Sequence, residues 1–475
     1  MNSSSTQEID SPEKLRLRGN VGVWGLVFMV LAGAAPLGVV GGTIPIGISL
    51  GNGVGLPAIL IVATVLLLLF SAGFTALAPH VRNAGAFYTY IGKGLGRKAG
   101  FGFAFVALIG YLALSVGLYG LLASGAVALF ESWGISLPWP VFALVSLVIV
   151  TFLGYRNIDL SMKVLGVLLI AEILIVLVFN AAVMFRGGGP EGMSTGFLQP
   201  TQIVSGAPGI ALLFAFLMFL GFEATAVFRD EVRDPNRTIP RATYTAVGLV
   251  GLFYVISSWV LISAYGDDAA VSAANDSATM LPNAVLMYLG TAAEQIVQVL
   301  FVTSLLACAL TFQNVVSRYM FTMANRGVLP RMLGNSHSRH TSPHIASGVT
   351  SVIILVCMVG TVVLGLDPAL EVYAWFAGYT TVAFILLLMA TTISVLIFFW
   401  RRRRLGVLEY SIGRVIVAPA IALVGLLIAT YLVFQNLPDL VGGSTVVAIA
   451  VIVSLATAFA VGFIFAWRRK DLTLE

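Results

Sequence analysis

Residues 216–231 read FLMFLGFEATAVFRDE, an apolar run interrupted at Leu220, Gly221 and Phe222 with a glutamate, Glu223, inside it. Residues 23–47 read VWGLVFMVLAGAAPLGVVGGTIPIG and are interrupted in the same way at Gly33, Ala34, Ala35 and Pro36. Pro36 has no N–H to donate and clashes with the preceding turn. Non-helical backbone in mid-membrane is tolerated only where protein or a water-filled cavity satisfies its polar groups. A related argument applies to Glu172 and Glu223, the two carboxylates that stand deep in apolar runs. A charge at the bilayer centre costs about 2.5–3.5 kcal/mol on insertion scales, so such side chains persist mainly where they meet a polar pathway or partner. Breaks and glutamates together mark a site.

The surrounding composition makes this an integral membrane protein. Of 475 residues 59% are hydrophobic and only 10% charged, and the mean hydropathy is +0.99, far from the soluble average. A span needs about 20 apolar residues. Twelve stretches qualify: 22–48, 56–78, 101–130, 137–155, 161–185, 207–229, 243–265, 292–322, 345–366, 372–400, 413–436 and 442–467. The polar stretch before the first span has no cleavage site of the secretory type and is expected to remain as a cytoplasmic arm. With the amino terminus inside, Arg186 is the single cation among the 26 Lys and Arg residues that falls outside. That asymmetry predicts a cell-membrane protein with both termini cytoplasmic. The net charge of +5 then reflects topology and anionic lipid, and calls for no nucleic acid. Arg401 to Arg404 read as a stop-transfer anchor, with a lipid site as the alternative.

Other chemistry is sparse. Cys308 and Cys357 lie in apolar runs and imply no disulfide framework. His337, His340 and His344 lack an acidic or thiolate partner, so no metal and no cofactor is expected. The glycines at 92, 94, 96 and 100 follow no strand and make no dinucleotide fingerprint. No enzyme signature is present, and a channel would need polar rings along a pore rather than two isolated glutamates.

Breaks in spans one and six stand five spans apart, as expected if spans 1–5 and 6–10 are inverted repeats. The chain therefore divides into a cytoplasmic tail (1–20), a first repeat (21–186), a second repeat (187–400), two further spans (401–467) and a cytoplasmic tail (468–475). The expected fold is all-α with twelve transmembrane helices, a five-plus-five inverted repeat of the leucine-transporter-like kind, and two carboxy-terminal helices. Glycine and proline are also common in membrane helices, so each break alone has an ordinary reading as a kink.

The stretch GFEATAVFRDEVRDPNRTIPRA at 221–242 resembles the signature of the amino acid-polyamine-organocation transporters. PHVRNAGAFYTYIGKGLGRKAGF at 79–101 is similar to that family's loop after span two, and SRYMFTMANRGVLPRML at 317–333 to its cytoplasmic end of span eight. The resemblance runs nearly the whole chain. It implies a secondary transporter for amino acids working by alternating access, with proton-coupled symport as the expected mode. Amine or polyamine transport, amino acid exchange and sodium coupling are the alternatives.

Carried over residue by residue, the resemblance puts a substrate carboxylate on N–H groups near Gly33, Ala34 and Ala35, at a half-helix amino terminus. It puts the ammonium on carbonyls of Leu31, Leu217 and Leu220, beside Gly221, with Phe219 and Phe222 as apolar contacts or gates. Two departures matter: the first break lacks the serine many members carry, and Leu217 stands where arginine exchangers carry an aromatic residue. Glu172 falls at about the position of a lysine in proton-coupled relatives. It is either a proton carrier, a sodium ligand with Thr303 or Ser304 of span eight, or a buried group that ties spans together. Glu223 either links protonation to gating or caps freed N–H groups. Asp230, Glu231, Arg233, Asp234, Arg237 and Arg241 read as a salt-bridged inner loop.

Overall fold

A computed structural model describes residues 22–81, 87–155, 162–223, 225, 232, 234–336 and 343–469. The amino-terminal tail at 1–20, Asp230, Glu231, Arg233, His337, His340 and the last residues of the carboxy-terminal tail lie outside the described residues. Among those described, helix is the only extended secondary structure, and a lone bridge joins Gly189 and Gly192.

Among the described residues nine helices are long and apolar enough to cross a membrane. The first expected span is split into α1 (Val23–Gly33) and α2 (36–52), and α2 contains π-helical turns at Val39–Thr43 and Ile48–Asn52. Then follow α3 (Leu56–Leu77), the short α4 (Phe87–Leu95), α5 (Arg97–Ser132), α6 (Trp139–Tyr155) and α7 (Met162–Phe185). The sixth expected span begins as α8 (Pro208–Leu217) and leaves the helix there. Next come α9 (Pro235–Tyr265), α10 (Asp267–Ala274), α11 (Met280–Leu289), α12 (Thr291–Asn325), α13 (His344–Val363), α14 (Pro368–Arg404), α15 (Gly413–Leu440) and α16 (Thr445–Arg468).

The region 267–291, read from sequence as a loop, carries α10 and α11. The apolar side of α11, with Leu281, Ala284 and Val285, is buried against α7 and α12. Asp267 and Asp268 occupy the first turn of α10, where carboxylates suit the positive end of the helix. The stretch after span two likewise contains a helix, α4. It is locked to α14 by Ser394, whose Oγ accepts from the Gly94 N–H at 2.8 Å and donates to the Tyr90 carbonyl at 2.6 Å.

Long helices form because their sequences are apolar nearly all round, and they are placed by what each side meets. Helix α5 sits deepest, packed against α12, α14 and α16. At 36 residues it rises about 54 Å, so it extends beyond a hydrocarbon core of about 30 Å. Outward faces of α6, α7, α13 and α16 expose Val148, Leu174, Val356 and Val446, as helix surfaces meeting lipid do. Where helices approach most closely a side chain is absent: a Cβ on Gly462 of α16 would overlap the Phe101 carbonyl of α5.

Candidate substrate site

The first break is built by backbone geometry. The N–H of Ala34 ends α1 by donating to the carbonyls of Val30 and Leu31, at 3.0 and 3.2 Å. Ala35 then takes φ +46° and ψ +69°, the single positive φ at a non-glycine residue among those described. That conformation costs an alanine roughly 1–2 kcal/mol, and it turns the chain so that α2 starts afresh at Pro36. A restarted helix has orphan N–H groups. Leu37 donates its own to Glu172 Oε2 at 3.4 Å, and the same oxygen accepts from Ser304 Oγ at 2.8 Å. Glu172 is buried and thus joins α7 to α2 and α12, with its carboxylate at the positive end of a half-helix. Among the described residues its own helix supplies no partner. Thr303 is turned the other way, its hydroxyl donating to Val299 and Leu300 of α12.

The second break is a succession of tight turns. Past Leu217 the N–H groups of Phe219, Leu220 and Phe222 each reach back three residues. Gly221 has φ +108°, a conformation that favours glycine. Glu223 folds back over the break: Oε2 accepts from the Gly221 N–H at 2.9 Å, and Oε1 accepts from the Tyr111 hydroxyl of α5 at 2.9 Å. It thus caps an N–H of the break itself. Phe222 points into an aromatic cluster with Phe70 and Phe74 of α3 and Phe384 of α14, at ring separations of 5.9–6.4 Å.

Between the breaks lies a cavity of about 50 Å³. Of the residues carried over from the resemblance, Gly33, Ala34, Ala35, Leu217 and Leu220 line it. Leu31, Phe219, Gly221 and Phe222 do not. Backbone acceptors are already in part engaged, since Leu31 accepts from Ala34 and Leu217 from Leu220 at 2.9 Å, though each carbonyl keeps a second lone pair. Sequence reasoning missed most of the wall: Leu114, Leu118 and Leu121 of α5, and Leu305, Cys308 and Phe312 of α12. Thr43 and Tyr373 complete it, their hydroxyls bonded to each other at 2.7 Å. The spacing of these leucines puts them on one helix face, but a packing row has the same spacing.

Among the described residues no cluster of His, Cys, Asp or Glu is arranged to hold a metal ion. His344 opens α13 with its ring edge-on to Tyr155, and His80 lies against Arg402 and Glu409. Arg402 bonds Glu409 at 2.7 Å, and Arg403 and Arg404 stack on Trp400 at the end of α14.

Apolar helices, two of them broken around a cavity, define the class as a multi-span helical membrane protein. Residues 25–474 match the sequence model of the family described as Amino acid permease, and the chain belongs to that family, which is made up of transporters. It is 25% identical over 327 residues to a probable GABA permease of Pseudomonas aeruginosa, covering 63% of this chain and 65% of that one. It is also 25% identical over 295 residues to the low-affinity putrescine importer PlaP of Escherichia coli K12, covering 59% and 62%. The chain thus spans under two thirds of the length of these relatives. The crystal structure of the Eremococcus coleocola manganese transporter superposes with a TM-score of 0.58 at 13% identity, over 96% of this chain and 99% of that one, a likeness of fold.

Proposed function

We propose that the protein is a secondary active carrier of the cell membrane that moves small amino acids by alternating access, with proton symport as its coupling. The observation that carries the reading is the junction at Glu172: one carboxylate holds Leu37 of the restarted half-helix and Ser304 of α12, whose chain neighbours Gly38 and Leu305 line the cavity. A substrate carboxylate bound at the same half-helix terminus would repel an ionised Glu172, so substrate and proton favour each other's binding. Among the described residues the titratable groups beside it are Tyr254 of α9 and Cys308 of α12.

In this reading the chain crosses the membrane twelve times, with spans 1–5 and 6–10 as inverted repeats, two added helices, and both termini cytoplasmic. Glu223 and Tyr111 hold the second break closed, and the aromatic cluster around Phe222 seals the side of the cavity toward α4. Sodium coupling is the second reading, favoured by the Ser304 hydroxyl on Glu172, since oxygen ligands suit a hard cation. Amine transport would use Glu172 or Glu223 as the counter-charge. Purified protein in proteoliposomes tests the proposal: uptake of labelled amino acids should follow an inward proton gradient and accelerate when vesicles are preloaded. Non-saturable flux would refute a carrier, and a requirement for sodium at fixed pH would replace the proton.

A further inference from the structure

From the walls of the cavity we infer a substrate class: α-amino acids with a short aliphatic side chain, to the exclusion of ω-amino acids and diamines. The inference rests on the reading of this cavity as the substrate site.

Polar recognition in the cavity is confined to the broken backbone. The N–H of Ala35 makes no hydrogen bond among the described residues, and Ala35 and Leu220, one from each break, line the same cavity. Both charges of a substrate must therefore be met in one small region, as they are when ammonium and carboxylate share one carbon. Beyond that region the walls offer hydrocarbon, the weakly polar Cys308 thiol and one hydroxyl pair, none of them charged. Leu114, Leu118 and Leu121 form one wall, and Leu305 and Phe312 the other. The two hydroxyls present, on Thr43 and Tyr373, are bonded to each other, and Glu172 does not line the cavity and already holds two donors. A charge carried several carbons from the α-carbon would sit among leucines with no partner, and buried charges are strongly disfavoured unless paired.

Size sets the second limit. At about 50 Å³ the cavity is small and favours a short side chain. The half-helix α2 lies close on two of these walls at its glycines. A Cβ at Gly38 would stand 2.9 Å from Leu305 Cδ2, and one at Gly42 would stand 2.8 Å from Leu121 Cδ2. Leu305, seated on Gly38 and lining the cavity, is the residue that limits side-chain length. A methylene gained or lost in such a pocket changes discrimination by about 10- to 200-fold.

The test is exchange of labelled alanine in proteoliposomes, competed by valine, phenylalanine, GABA and putrescine, on the wild type and on Leu305→Ala and Leu118→Ala. Valine should compete within tenfold of alanine, phenylalanine at least tenfold more weakly, and GABA and putrescine at least a hundredfold more weakly. Leu305→Ala should bring phenylalanine to within tenfold of alanine, with Leu118→Ala widening the opposite wall if the first variant does not fold. Competition by GABA or putrescine within tenfold of alanine overturns the substrate class and leaves the carrier standing. Exchange of none of the five compounds overturns both. An unchanged phenylalanine ratio in both folded variants overturns the role of these walls.

Discussion

Glu172→Gln and Glu172→Leu separate what this side chain does for the fold from what it does for coupling. In the structure one carboxylate oxygen takes two buried donors, Leu37 N–H and Ser304 Oγ. Glutamine keeps its shape and an acceptor for both. Hydrogen bonds to charged groups contribute about 1.5–3 kcal/mol and neutral ones about 0.5–1.5, so the exchange costs roughly 1–3 kcal/mol in total if Glu172 is ionised and close to nothing if it is protonated. Leucine leaves two donors unpaired at about 1–3 kcal/mol each, hence roughly 2–6 kcal/mol, toward the lower end because Ser304 can turn back onto its own helix. Thermal unfolding in detergent should therefore rank wild type and Gln well above Leu. In proteoliposomes the Gln variant should still exchange substrate at equal pH on both sides but lose uptake driven by a proton gradient. Substrate binding in the wild type should weaken as pH rises and Glu172 ionises, and that dependence should flatten in Gln. If Glu172 ligates sodium, the Gln variant loses sodium-stimulated binding at fixed pH instead. Gradient-driven uptake in Glu172→Gln with wild-type pH and sodium dependence would leave Glu172 as a structural tie only.

Gly33→Val should insert and fold, because a Cβ at Gly33 meets nothing within 4 Å, yet its methyl groups fill the cavity; unaltered substrate affinity would show that substrate binds elsewhere. Gly221→Ala has open space too, but φ +108° imposes strain of about 1–3 kcal/mol, so binding should weaken while insertion persists, and a wild-type melting temperature with full binding would refute a strained break. Tyr111→Phe removes one of the donors to Glu223 and should cost roughly 1.5–3 kcal/mol in thermal unfolding if Glu223 is ionised; no loss in any pH condition would mean that the bond contributes nothing. A reporter active only outside the cell should be silent when fused after Arg404 and active near Asp268, and the reverse pattern would invert the topology.

The sequence by itself made the membrane class and the two breaks legible, because hydrophobicity over about 20 residues and a proline or glycine interruption are local properties. It also singled out Glu172 and Glu223, since a carboxylate in hydrocarbon is conspicuous wherever it points. Short helices were less legible: α4, α10 and α11 lie in stretches that read as loops, and their burial depends on partners far along the chain. Tertiary structure alone decided which donors meet each glutamate. Glu172 found Leu37 and Ser304, 135 and 132 residues away, and Glu223 found Tyr111, 112 residues away. It alone turned Ser304 toward Glu172 and Thr303 onto its own helix, because adjacent positions on a helix face about 100° apart. It also removed Phe222 from the cavity and filled the walls with leucines of α5 and α12, which in sequence are indistinguishable from any apolar row. Side-chain pairing across helices is set by rotation and depth of each helix in the bundle, and neither is written in one helix alone.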